Sequence, residues 1–124
     1  MAERKRRPAR APRAVGRAGP EVRVVLTTVP DAAVGARLAR TLVEERLAAC
    51  VNLIPSVRSF YRWQGQLEDA GEVLLLVKTR ADRCAALAAR IQALHPYELP
   101  EVLELAADGG SAAYLDWVGR ESSK

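Results

Sequence analysis

Five aliphatic residues in a row, Val73-Leu74-Leu75-Leu76-Val77, stand between Glu72 and Lys78. A short run of this kind reads as a strand, from Glu72 to Thr79. Side chains alternate across a strand, so this one is apolar on both faces. A strand in an antiparallel sheet with one wetted face alternates apolar and polar residues instead. Any fold open to this chain must therefore cover the strand from two sides. Val24-Val25-Leu26 makes the same demand further upstream.

The other elements decide what supplies the first cover. Val22 to Thr28 is β-branched and partly alternating, a strand stopped at Pro30-Asp31. Asp31 suits a helix N-cap, and Val34, Leu38 and Leu42 then recur every fourth residue, giving a helix to about Leu47. Ala49 to Trp63 is extended, with an irregularity expected at Pro55. Gln64 to Gly71 is polar with two glycines and reads as a turn. Asp82 opens a second helix with Cys84, Leu87, Ile91 and Leu94 along one face, closed by His95-Pro96. Leu99 to Leu105 is a fourth strand, and Ser111 caps a short last helix after the break at Asp108-Gly109-Gly110. This is an α+β chain of order β-α-β-β-α-β, a ferredoxin-like sandwich of one antiparallel sheet with two helices on one face. The last helix is too short to cover the second face. Another copy of the chain is the simplest cover, so a homo-oligomer is expected.

The charge of the chain narrows its partners. Its 124 residues carry a formal charge of +4. The first 20 residues hold seven basic groups against Glu3 alone, while the rest hold 12 basic and 14 acidic groups. Residues 1–20, rich in Arg, Ala, Pro and Gly, read as a disordered basic tail on a mildly acidic domain spanning 21–124. Basicity therefore gives no reason to expect nucleic acid. No stretch approaches the roughly 20 apolar residues that cross a bilayer, so no membrane partner is expected. Two cysteines without CxxC spacing, Cys50 and Cys84, suit a reducing cytoplasmic setting.

Screening for chemistry removes most classes. Aliphatics fill the strand that would stack bases in an RNA-binding domain of this topology. The loop after the first strand, Thr27-Thr28-Val29-Pro30-Asp31, has no sulfur for a soft metal. Gly109-Gly110 lacks the lysine and spacing of a phosphate loop. Cys84 lies on an apolar helix face and Cys50 between Ala49 and Val51, so both read as buried thiols. No enzyme site emerges. What remains is a set of polar and aromatic residues at element ends: Ser59, Tyr61 and Trp63; Lys78; His95, Tyr97, Glu98 and Glu101; Tyr114, Asp116 and Trp117. Rings with wet tips and convergent polar groups are a usual lining for a ligand cleft between subunits.

These residues also carry a resemblance. The runs RLAACVNLIP, SFYRWQGQLEDAGEVLLLVKT, LHPYELPEVLEL and YLDWV resemble the CutA family, from about Val22 to Val118. The resemblance implies a ferredoxin-like subunit in a tight homotrimer, no catalytic activity, and a link to tolerance of copper and other divalent cations. It implies a Cu(II) site on a cysteine late in the first strand and two adjacent histidines. Thr27 and Leu94 stand at two of those positions, which leaves His95, with Glu98 or Glu101 joining it across an interface. Two further readings remain open. One is a sensor like the PII signalling proteins, holding a small anionic or nucleotide-type ligand in the cleft of Ser59, Tyr61, Trp63, Lys78, Tyr97, Tyr114 and Trp117. The other is a trimeric scaffold for a protein partner.

Overall fold

The computed structural model describes residues 15–16 and 20–124. The expected disordered tail lies outside these residues apart from Val15–Gly16 and Pro20. Val15–Gly16 form a short strand β1. The domain then runs β2 (Val22–Val29), α1 (Ala32–Glu44), β3 (Cys50–Trp63), β4 (Gln66–Arg80), a 3-10 turn (Ala81–Arg83), α2 (Cys84–Leu94), β5 (Leu103–Ala106), β6 (Gly110–Ser111) and α3 (Ala112–Glu121). Four strands form one antiparallel sheet in the order β3-β4-β2-β5, and β1 pairs with β6 beside it. This is the expected ferredoxin-like order, with the aliphatic strand β4 at the centre.

The first cover is the pair α1 and α2. Val25, Val29, Leu75, Val77 and Val73 point down from the sheet onto Leu38, Leu42, Leu87 and Ile91, forming the main core. Asp31 caps α1, its Oδ1 accepting the Val34 amide at 2.9 Å. Gly35 lets α1 approach the sheet: a Cβ there would stand 3.1 Å from Leu53 and 3.2 Å from Val29. Cys84 is buried in this core, and burial, aided by the nearby Glu104, pushes its thiol up to about 11. It is a packing residue and no nucleophile. Cys50, by contrast, is only half-buried.

Four boundaries differ from the sequence reading. Gln66 to Gly71 is strand, because the reversal needs only Gln64 and Gly65, both at positive φ (50° and 80°) as a tight hairpin requires. The arm so formed, from Val57 to Glu72, has no face on the core and so lacks apolar alternation. The fourth strand starts at Leu103, four residues late, after a segment in which Pro96 and Pro100 fix the backbone φ. Helix α1 stops at Glu44, followed by Arg46 at φ 60°, and α2 opens at Cys84 while Asp82 pairs with Arg80 at 3.0 Å. Leu94 turns out to solvent, 40% exposed. The expected irregularity at Pro55 is a bulge: Pro55 and Ser56 together oppose Val73, between the pairs Ile54–Leu74 and Val57–Glu72.

The second face of the sheet is open. Its side chains fall into rows across the strands: Leu105, Val24, Lys78, Cys50; then Leu103, Leu26, Leu76, Asn52; then Thr28, Leu74, Ile54. Leu103, Leu105 and Ile54 are 53%, 47% and 41% exposed. Helix α3 covers only the end of this face, where Leu115 and Val118 pack on Val22 and Ala49. Ser111 caps α3 by accepting the Tyr114 amide at 3.2 Å. Its other end is tied down by Arg46 Nε, donating to the Ser123 carbonyl at 2.9 Å, and Arg83 Nε, donating to the Ser122 carbonyl at 3.0 Å.

One flaw in the core generates a prediction. Thr27 is fully buried on the helix-facing side, and its Oγ1 finds no partner among the described residues. Thr79, equally buried, satisfies its hydroxyl by donating to the Leu47 carbonyl at 2.7 Å. Thr27→Val should therefore stabilise the protein by about 1 kcal/mol in chemical denaturation, and Thr79→Val should cost about as much. Destabilisation by Thr27→Val would mean that the hydroxyl is satisfied after all.

Candidate functional site

At the end of the open face away from α3, the sheet parts into the β3–β4 arm on one side and the α2–β5 connection on the other. Proline stands twice in that connection. Pro96 follows the end of α2, and residues 95–102, with Pro100 among them, cross the sheet end as a loop before β5. Between arm and loop lies a cleft of about 740 Å³, lined by Thr28, Glu72 and Tyr97 at its base and by Tyr61, Trp63, Glu98, Leu99 and Glu101 higher up.

His95 sets the course of the loop. Strand β5 reaches only to Leu26 on its neighbour, so the Thr28 carbonyl lies beyond its ladder. His95, buried at the C-cap of α2, donates from Nε2 to that carbonyl at 2.7 Å. Its Nδ1 accepts the Tyr97 amide at 3.1 Å. A carbonyl only accepts and an amide only donates, so the ring is held as the Nε2–H tautomer with both nitrogens in use. The imidazole thus replaces a missing strand contact and turns Tyr97 toward the sheet, the two rings 4.7 Å apart.

Tyr97 then reaches the floor of the cleft. Its hydroxyl donates to Glu72 Oε2 at 2.7 Å. Glu72 lies on the open-face side of β4, only 7% exposed. No other hydrogen bond or ion pair holds this carboxylate among the described residues. Burial, reinforced by the Glu72 carboxylate, pushes the Tyr97 phenol well above its ordinary range, so it remains a hydrogen-bond donor at neutral pH.

The cleft gathers Ser59, Tyr61, Trp63, Tyr97, Glu98 and Glu101 from the residues singled out in the sequence. His95 stands behind it, holding the loop. Lys78 sits in an open-face row and contacts Asn52 Oδ1. Tyr114 and Trp117 stack 5.7 Å apart on α3, within the cluster around Val22 at the far end of the sheet. Sequence reasoning missed Glu72, the floor of the site. Its position beside a two-faced aliphatic strand was the available signal, since a carboxylate there must be either paired or placed at a cleft.

Comparison with known proteins agrees in fold. Residues 23–121 match a family described as CutA1 divalent ion tolerance protein. A divalent-cation tolerance protein CutA of Thermus thermophilus is 50% identical over 95 residues, covering 77% of this chain and 92% of that protein. A CutA homolog of Xenopus laevis is 48% identical over 92 residues, covering 74% of this chain and 61% of that protein, so the match spans well under the whole of this longer relative. The crystal structure of CutA1 from Oryza sativa superposes with a TM-score of 0.82 at 39% identity, over 85% of this chain and 96% of that one. From its second strand to its last helix, the chain belongs to the CutA1 divalent ion tolerance family.

Proposed function

We propose that this protein is a non-catalytic homotrimer that acts in divalent-cation tolerance, with the cleft as its working site. The observation that carries the reading is the open face. Val24, Leu26, Leu74, Leu76, Ile54, Leu103 and Leu105 make one apolar surface on the centre of a sheet, between α3 and the cleft. Burying such a surface is worth about 25 cal/mol per Å², and an isologous or cyclic partner copy is the economical cover. Three copies is the number that the family resemblance implies. The relatives are named for tolerance of divalent cations, and that role is carried to this chain on the strength of the shared domain. Among the described residues no helix is long and apolar enough to cross a membrane. Cys50 and Cys84 are free, which supports placement in the reducing cytoplasm.

The cation itself is not offered a donor set by a single chain. Both nitrogens of His95 are committed, to the Thr28 carbonyl and the Tyr97 amide. Among the described residues no three of His, Cys, Asp and Glu group closely enough to hold a metal ion. Thr27 faces the helices, on the opposite side of the sheet from the cleft. The residues present do not fit a resident Cu(II) in one subunit, and no step is derived through one. Tolerance in this reading works through what the trimer binds or engages.

A second reading is supported by the cleft: a small-ligand sensor. Its walls, however, hold Glu72, Glu98 and Glu101 against Arg62 alone, which disfavours the anionic ligand expected from the sequence.

Two outcomes are expected. Leu76→Glu places a charge at the centre of the open face while leaving the helix-facing core untouched. It should yield a folded monomer by light scattering, because burying an unpaired charge costs several kcal/mol. An unchanged mass would remove this face from the interface. In calorimetric titration with Cu(II), wild type and His95→Gln should bind alike, glutamine retaining a donor for the Thr28 carbonyl. Loss of binding in the variant would show that the imidazole turns to the metal.

A further inference from the structure

Glu72, at the floor of the cleft, has no cationic partner among the described residues. Glu72 is a carboxylate with nine-tenths of its surface removed from water, yet its sole hydrogen bond comes from a neutral phenol, Tyr97, on Oε2. Oε1 has no partner among the described residues, and the residue lines the cleft. Oε1 is not sealed from solvent but opens to the cleft, where an entering cation would pair with the carboxylate. The other arginines near the arm are committed or remote: Arg58 makes a two-pronged pair with Asp69 at 2.8 and 2.9 Å. Arg62 lines the cleft but forms no ion pair with Glu72.

The walls say which cation suits. Tyr61 and Trp63, on one side of the arm, and Tyr97 on the loop bring three aromatic residues to the cleft. Aromatic faces attract weakly hydrated organic cations. A hard divalent ion needs six or more oxygens, which the cleft does not assemble. Glu98 and Glu101 at the rim add negative potential that draws in a cation. Resting on the sensor reading of the cleft given above, we propose that it binds an organic ammonium ion: its N–H donates to Glu72 Oε1 and its carbon arm lies between the rings of Tyr61, Trp63 and Tyr97. The phenol of Tyr97 holds the carboxylate from its other oxygen, leaving Oε1 free for the ligand.

The test is calorimetric titration of the full chain, in its native assembly, with n-butylammonium chloride, against sodium chloride and n-butanol as controls. Saturable binding of the ammonium alone is expected. Glu72→Gln keeps an acceptor for Tyr97 but removes the charge, and should weaken binding by about tenfold or more. Should that variant misfold, Trp63→Ala on the exposed arm provides the second test and should also weaken binding. Absence of saturable binding, equal binding of butanol, or unchanged affinity in both variants would overturn the proposal. The mass of the same sample, read by light scattering, separates this from the assembly: a trimer that ignores the amine refutes the ligand and leaves the trimer standing.

Discussion

A central strand that is aliphatic on both sides sets the terms for everything around it. Val73, Leu75 and Val77 are satisfied by α1 and α2, which form the main core. Leu74 and Leu76 are not, because α3 reaches only the end of the sheet near Val22. The fold therefore carries an apolar surface of the kind that a single chain leaves exposed at a cost. In the proposed trimer, assembly is part of the folding problem: other copies would contribute the second half of the hydrophobic core. The cleft opens at the edge of this same surface, so whatever covers the face stands beside the site.

The site itself depends on a shortened strand. Had β5 begun at Leu99, its ladder would have consumed the Thr28 carbonyl and filled the space where the loop now crosses. It begins only at Leu103, and His95 takes over the orphaned carbonyl from the other direction. With its second nitrogen the same ring fixes the Tyr97 amide, and the Tyr97 hydroxyl fixes Glu72. Two residues before β5, His95 and Tyr97, and one residue each on β2 and β4, Thr28 and Glu72, are thus joined in a single chain of hydrogen bonds. The histidine's value lies in using both nitrogens for geometry, which is also why it makes a poor metal ligand here.

The element order, the caps at Asp31 and Ser111, the bulge at Pro55 and the open face were all legible in the sequence, because each rests on a local rule or on side-chain period. Only half of the long arm was: the strand to Trp63 reads as extended, whereas Gln66 to Gly71, with no face on the core, shows no sign of a strand, and the turn at Gln64-Gly65 reads as a longer loop. Half of the candidate cleft was legible as well: Ser59, Tyr61 and Trp63 share one side of the arm, and Tyr97, Glu98 and Glu101 follow one another on the loop. Within one chain Lys78, Tyr114 and Trp117 lie away from this cleft, since residue type alone does not say at which end of a sheet a side chain lies. Glu72 was missed because its role depends on Tyr97, 25 residues away, reaching it across the fold.

The central claim is that the open face is an interface and that the working unit is three chains. Sedimentation equilibrium of the wild-type protein at micromolar concentration tests it most directly. A single species at three times the 13.5 kDa chain mass is predicted, and a stable monomer at that concentration would contradict the account.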